Sequence, residues 1–109
     1  MPWLELHGVV RGERLDAVAR IRFVLTGSGG WITGHQQFSN VSLCIRFEIE
    51  GGHCAALAAA LRSAGVWLDP RSEAALETAP VSGELHGSLQ ITFVHDEPDL
   101  AVPPPAVPG

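Results

Sequence analysis

Apolar and polar residues alternate without a break over residues 41–50. Val41, Leu43, Ile45, Phe47 and Ile49 interleave with Ser42, Cys44, Arg46, Glu48 and Glu50. Successive side chains of a strand point to opposite faces, so the stretch predicts a strand with one buried and one solvated face. Residues 85–93 repeat the pattern, with Leu85, Gly87, Leu89, Ile91 and Phe93 on one side and His86, Ser88, Gln90 and Thr92 on the other. A strand at residues 3–9 turns Leu4 and Leu6 inward and Trp3, Glu5 and His7 outward. A weaker one at residues 31–38 sets Ile32 and Phe38 against Trp31, Thr33, His35 and Gln37, before a turn at Ser39-Asn40.

Two stretches carry helical spacing. After Gly51-Gly52, the residues Cys54, Leu57, Ala58, Leu61 and Ala64 share one helical face. Alanine costs least in a helix, and Gly65 stands where a left-handed C-terminal cap is wanted. Residues 13–25 read two ways. As a helix, Leu15, Val18, Ile21 and Leu25 align and Phe23 falls off the stripe; as a strand, Ile21, Phe23 and Leu25 alternate with Arg20 and Arg22. The first half lacks β-branched density, which favours the helix. Asp69-Pro70 is a helix start and predicts a short helix over residues 71–78 in an otherwise irregular connection from Trp67 to Ser82.

The predicted order is β-α-β-β-α-(short helix)-β. One-sided strands and amphipathic helices make an α+β two-layer sandwich. The expected form is the ferredoxin-like βαββαβ arrangement, a four-stranded antiparallel sheet covered on one face by two helices. Its first and last strands lie side by side and antiparallel. The tetrapeptide Glu-Leu-His-Gly occurs on both, at residues 5–8 and 84–87. A duplication would pair the first strand with the third, so two strands of like facing explain the repeat better. Residues 1–97 form the expected domain, and residues 98–109, rich in proline and without periodicity, a flexible tail.

Charge removes some partners. The 109 residues carry a net charge of −5, and all seven basic residues are Arg. A nucleic-acid surface needs a basic patch, so none is expected. Without Lys, Schiff-base chemistry is excluded. No stretch is long and apolar enough to span a bilayer, and the first residues do not read as a secretory signal. Two cysteines are too few for a disulfide-stapled secreted domain. These features predict a cytoplasmic protein without membrane contact.

The outward parity gathers Trp3, Glu5, His7, Trp31, His35, Cys44, Arg46, His86 and Gln90 on the uncovered sheet face. Two tryptophans on a solvated face predict a contact surface. A homodimer packing through the sheet is the first expectation, and a ligand site on that face the second. His7, His35, His86 and Cys44 have no short-range metal-ligand spacing, so neither metal nor cofactor is expected. Cys54 beside His53 at a helix start could be an activated thiol. Its place on the Leu57–Leu61 stripe argues for a buried structural residue. Gly27-Ser28-Gly29-Gly30 lacks the Lys-Ser/Thr of a phosphate loop, and the Asn40-Val41-Ser42 sequon has no role in a cytoplasmic chain. Glu5, Glu48, Glu50 and Glu84 read as the polar half of an amphipathic sheet.

Residues 6–21, 29–32 and 43–66 together resemble ACT-type regulatory domains, small βαββαβ modules that sense amino acids. The resemblance implies oligomerisation and an amino-acid ligand approached by the backbone N–H groups of Gly8, Arg11 and Gly12. Adding the open-face histidines, the candidate ligand-binding residues are His7, Gly8, Arg11, Gly12, His35 and His86, with no catalytic residue assigned. The expected function is a non-catalytic ligand-binding or regulatory interaction module, dimeric through its sheet. One alternative is an enzyme of the dimeric α+β barrel kind with His7, His35 or His86 as acid/base. Another is a structural subunit whose proline-rich tail docks on a partner.

Overall fold

The fold is given by a computed structural model of the chain, which describes residues 3–39 and 41–94. The proposed tail, residues 98–109, lies outside them. In chain order the elements are β1 (Trp3–Arg11), α1 (Arg14–Gly27), β2 (Trp31–Ser39), β3 (Ser42–Glu50), a 3-10 turn (Gly51–His53), α2 (Cys54–Ser63), β4 (Val66–Leu68), α3 (Pro70–Glu77) and β5 (Glu84–Val94). The α+β class expected from the pattern is present. Residues 14–27 are helical, with the Glu13 side chain accepting from the Asp16 N–H at 3.0 Å. The Asp69 carboxylate accepts from the Arg71 N–H at 2.9 Å and caps α3, with Pro70 in the first turn. Gly65 closes α2 with φ of +91°.

The sheet departs from the expectation. Among the described residues it has five strands in the order β2-β3-β5-β1-β4 and is mixed. The first and last strands are neighbours but parallel, with Trp3 opposite His86 and Arg11 opposite Val94. The other three pairs are antiparallel. The cause is β4. Directly after α2, Val66, Trp67 and Leu68 pair with Val10, Val9 and Gly8 and take the outer edge of β1. The last strand is thereby excluded from that edge. Its five inward positions, Leu85, Gly87, Leu89, Ile91 and Phe93, are all buried, which suits a strand with neighbours on both sides. It enters between β1 and β3.

Two glycines allow this packing. A Cβ on Gly87 would lie 2.7 Å from Cζ of Phe47, so the residue leaves room for that ring. A Cβ on Gly8 would lie 2.8 Å from Cγ1 of Val66, so Gly8 lets β4 approach β1. Because Gly8 faces the helices, the word at residues 5–8 and its copy at 84–87 share a facing. They are displaced along the ladder, however: Glu5 stands opposite Ser88, four residues beyond Glu84.

Among the described residues three helices, not two, cover the inner face. Ala17, Ile21 and Leu25 of α1, Leu57, Ala58 and Leu61 of α2, and Leu76 of α3 join the inward strand residues in one buried cluster. Leu15, expected on the α1 stripe, is exposed, and Ala17 takes its place. Where β4 ends, α3 takes over the edge of β1. The His7 N–H donates to the buried Ser72 Oγ at 2.8 Å, and the Asp69 N–H donates to the His7 carbonyl. Val41, expected inward, precedes β3 and is exposed; its N–H donates to the Ser39 Oγ.

Candidate functional site

Among the described residues, no helix lies on the opposite face of the sheet. Outward positions of β1, β3 and β5 alternate regularly with the core, so their side chains form rows across the strands. One row runs Trp3–His86–Glu48–Trp31 over β1, β5, β3 and β2. Three strand spacings place the two tryptophan backbones about 14 Å apart. Trp3 and His86 stack with their rings 3° from parallel and 6.2 Å between centroids. On its other side, His86 Nδ1 lies 3.2 Å from Glu48 Oε2, with both side chains partly buried. Trp3 and Trp31 remain 51% and 50% exposed. For side chains of this apolar area, that is a large surface given to solvent.

At the far corner, Val9, Arg11, Gly65 and Trp67 line a concavity of about 340 Å³. Trp67 is 60% exposed. It falls in the stretch that the sequence predicts to be an irregular connection, and is the third tryptophan of this face. The available signal was the triplet Val66-Trp67-Leu68, apolar on either side of an aromatic and just past the Gly65 cap.

The six candidate residues do not converge. His7 and His86 both face outward, but His7 stands opposite Gln90, four residues along from His86, or about 13 Å. His35 was expected beside them and instead lies on the helix-side parity. The ladder slips between Ile32 and Gly34, and beyond the slip His35 pairs with the inward Ile45. A bulge of this kind exchanges the two faces of a strand. Phe38 sits within a second slip, between Gln37 and Ser39, and is exposed rather than inward. Gly8 faces the core. Arg11 lines the concavity, and the Gly12 N–H donates to the Val94 carbonyl at 3.1 Å.

Other chemistry has little geometric support. Among the described residues, no three His, Cys, Asp or Glu side chains lie close enough together to hold a metal ion. Cys54 is buried at the start of α2, and burial pushes its thiol pKa up from the ordinary value, away from a nucleophilic thiolate. No helix of the described residues is long and apolar enough to cross a membrane. Comparison of the chain with family models, curated proteins and solved structures finds no match.

Proposed function

We propose that the chain is a non-catalytic regulatory or interaction module that binds through its uncovered sheet face, and that a second copy is the partner packed there. One observation carries the reading: three half-exposed tryptophans, Trp3, Trp31 and Trp67, share a face that no helix of the described residues covers. Exposed aromatic area of this extent is costly in water and favourable when buried against another surface. Between the tryptophans lie Glu48, Arg46, His86 and Gln90, which supply the polar groups that a specific interface needs. The wider frame fits the same reading. The connections β1–α1–β2 and β3–α2–β4 follow a ferredoxin-like path into which β5 is inserted.

A dimeric-barrel enzyme has less support. Such a cavity calls for histidines gathered on one face, and the β2 slip separates His35 from His7 and His86. An amino-acid site in the first loop also has less support, because the Gly12 N–H is already bonded to Val94.

Dilution tests the proposal. In a self-associating protein, tryptophan emission shifts to the red as the concentration falls through the micromolar range, and Trp31→Phe reduces the shift. Emission independent of concentration, at the wavelength of exposed indole throughout, overturns the dimer.

A further inference from the structure

We propose that the concavity lined by Val9, Arg11, Gly65 and Trp67 binds a small aromatic monocarboxylate, with its ring on Trp67 and its carboxylate on Arg11. This inference goes beyond the dimer proposed above and does not rest on it.

The concavity follows from the edge of the sheet. Val9 and Trp67 are register partners on β1 and β4, and both face away from the core. Arg11 follows Val9 by two residues and shares its facing. Continuing the same antiparallel register one pair beyond Val10 and Val66 brings Gly65 level with Arg11. A side chain at residue 65 would fill the position beside Arg11 and Trp67. Gly65 is instead the cap of α2, with φ of +91°, a conformation that glycine adopts and other residues rarely do. A Cβ there would have no described atom within 4 Å. The geometry that closes α2 therefore keeps this position bare, and the gap is a concavity of about 340 Å³.

The lining sets the ligand chemistry. The volume lies at the low end of the range for small-molecule sites, about 300–1,000 Å³, and suits one or two rings. Trp67, 60% exposed, offers an aromatic surface for a planar ring, and Val9 adds apolar area. Among the described lining residues the charged one is Arg11. A guanidinium presents five donors in a planar fork and meets a carboxylate with two of them, which leaves donors for its other contacts. Arg11 and Trp67 are diagonal neighbours across β1 and β4, about 7–8 Å apart along the backbone. One ring with a short acid side chain spans that separation. No described carboxylate lines the concavity, so a ligand ammonium group would find no counter-charge there. That sets the proposed ligand apart from a free amino acid.

The experiment titrates the full chain with indole-3-propionate, its neutral amide and free tryptophan, with the three indole N–H resonances assigned by single Trp→Phe variants. The expected result is a saturable shift of the Trp67 signal with the acid, while the Trp3 and Trp31 signals stay in place. The amide and the amino acid should bind more weakly, the amide by roughly tenfold for the lost charged contact. Arg11→Gln should weaken the acid by a similar factor and leave the core methyl signals unmoved. If that variant fails to fold, the ratio of acid to amide in the parent chain reads the same contact. The affinity should not change when the protein is diluted, so the result stands whether the chain is a dimer or a monomer. No saturable Trp67 shift by about 10 mM, where even a weak ligand of this size binds, overturns the proposal. So do an amide or a free tryptophan that binds as tightly as the acid, a shift at Trp3 or Trp31 instead, and a response that disappears on dilution.

Discussion

Trp3 and His86 stand opposite one another on parallel neighbouring strands and stack at 6.2 Å. The contact ties the first strand to the last on the face away from the core, where burial contributes least. Aromatic pairs contribute about 0.5–1.5 kcal/mol beyond area, and a half-exposed pair belongs at the lower end. A double-mutant cycle of Trp3→Ala and His86→Ala should give a coupling of about 0.5 kcal/mol in urea unfolding. Additive losses would mean that the stack is incidental.

Gly87→Ala tests the placement of β5 in the middle of the sheet. Its new methyl meets the Phe47 ring at 2.7 Å in a packed core, so a loss of about 1–3 kcal/mol is expected. Phe47→Leu in the same chain should make the added methyl less costly. A neutral Gly87→Ala would contradict the packing of β5 against β3.

Ser72→Ala removes the acceptor for the His7 N–H at the point where α3 replaces β4 on the edge of β1. Ser72 is 1% exposed and the bond to the His7 N–H is part-buried, so its loss leaves that donor without its protein partner, at about 1 kcal/mol. Amide exchange at His7 should accelerate more than at Leu6. Unchanged exchange at His7 would show that water substitutes for the hydroxyl.

Burial raises the Cys54 pKa above its ordinary value of 9.0. The unfolded chain therefore gives up that proton at a lower pH than the folded one. The stability associated with the neutral thiol is complete below about pH 9 and declines as pH rises from there toward the folded-state pKa. Titrating one thiol per native chain with a disulfide reagent at pH 8, at the half-buried Cys44, and the second only after unfolding, checks the same burial. Fast labelling of Cys54 in the native chain would refute it.

The facing of most strand residues was legible because alternation is local. Leu4, Leu6, Leu43, Ile45, Leu89 and Ile91 all point as their spacing requires. Strand order was not legible in the same way. Nothing local to Leu85–Phe93 says that its neighbours are β1 and β3; that follows from β4 having occupied the β1 edge. β4 itself has three residues, too few for a period to show. The position of His35 failed for a related reason. Counting by twos carries facing through Thr33 as if the ladder were continuous, and the slip at Gly34 is set by pairing with β3. The site was therefore half legible: Trp3, Trp31 and His86 were found on the open face, His35 was misplaced, and Trp67 was missed.

Sedimentation equilibrium on the full chain at micromolar concentration, beside the Trp3→Ser, Trp31→Ser double variant, tests the binding role of the uncovered face most directly. The expected result is twice the chain mass for the parent and the single chain mass for a variant that keeps its far-ultraviolet spectrum. A parent that sediments as a single chain throughout, or a variant that dimerises as well as the parent, contradicts the proposed interface.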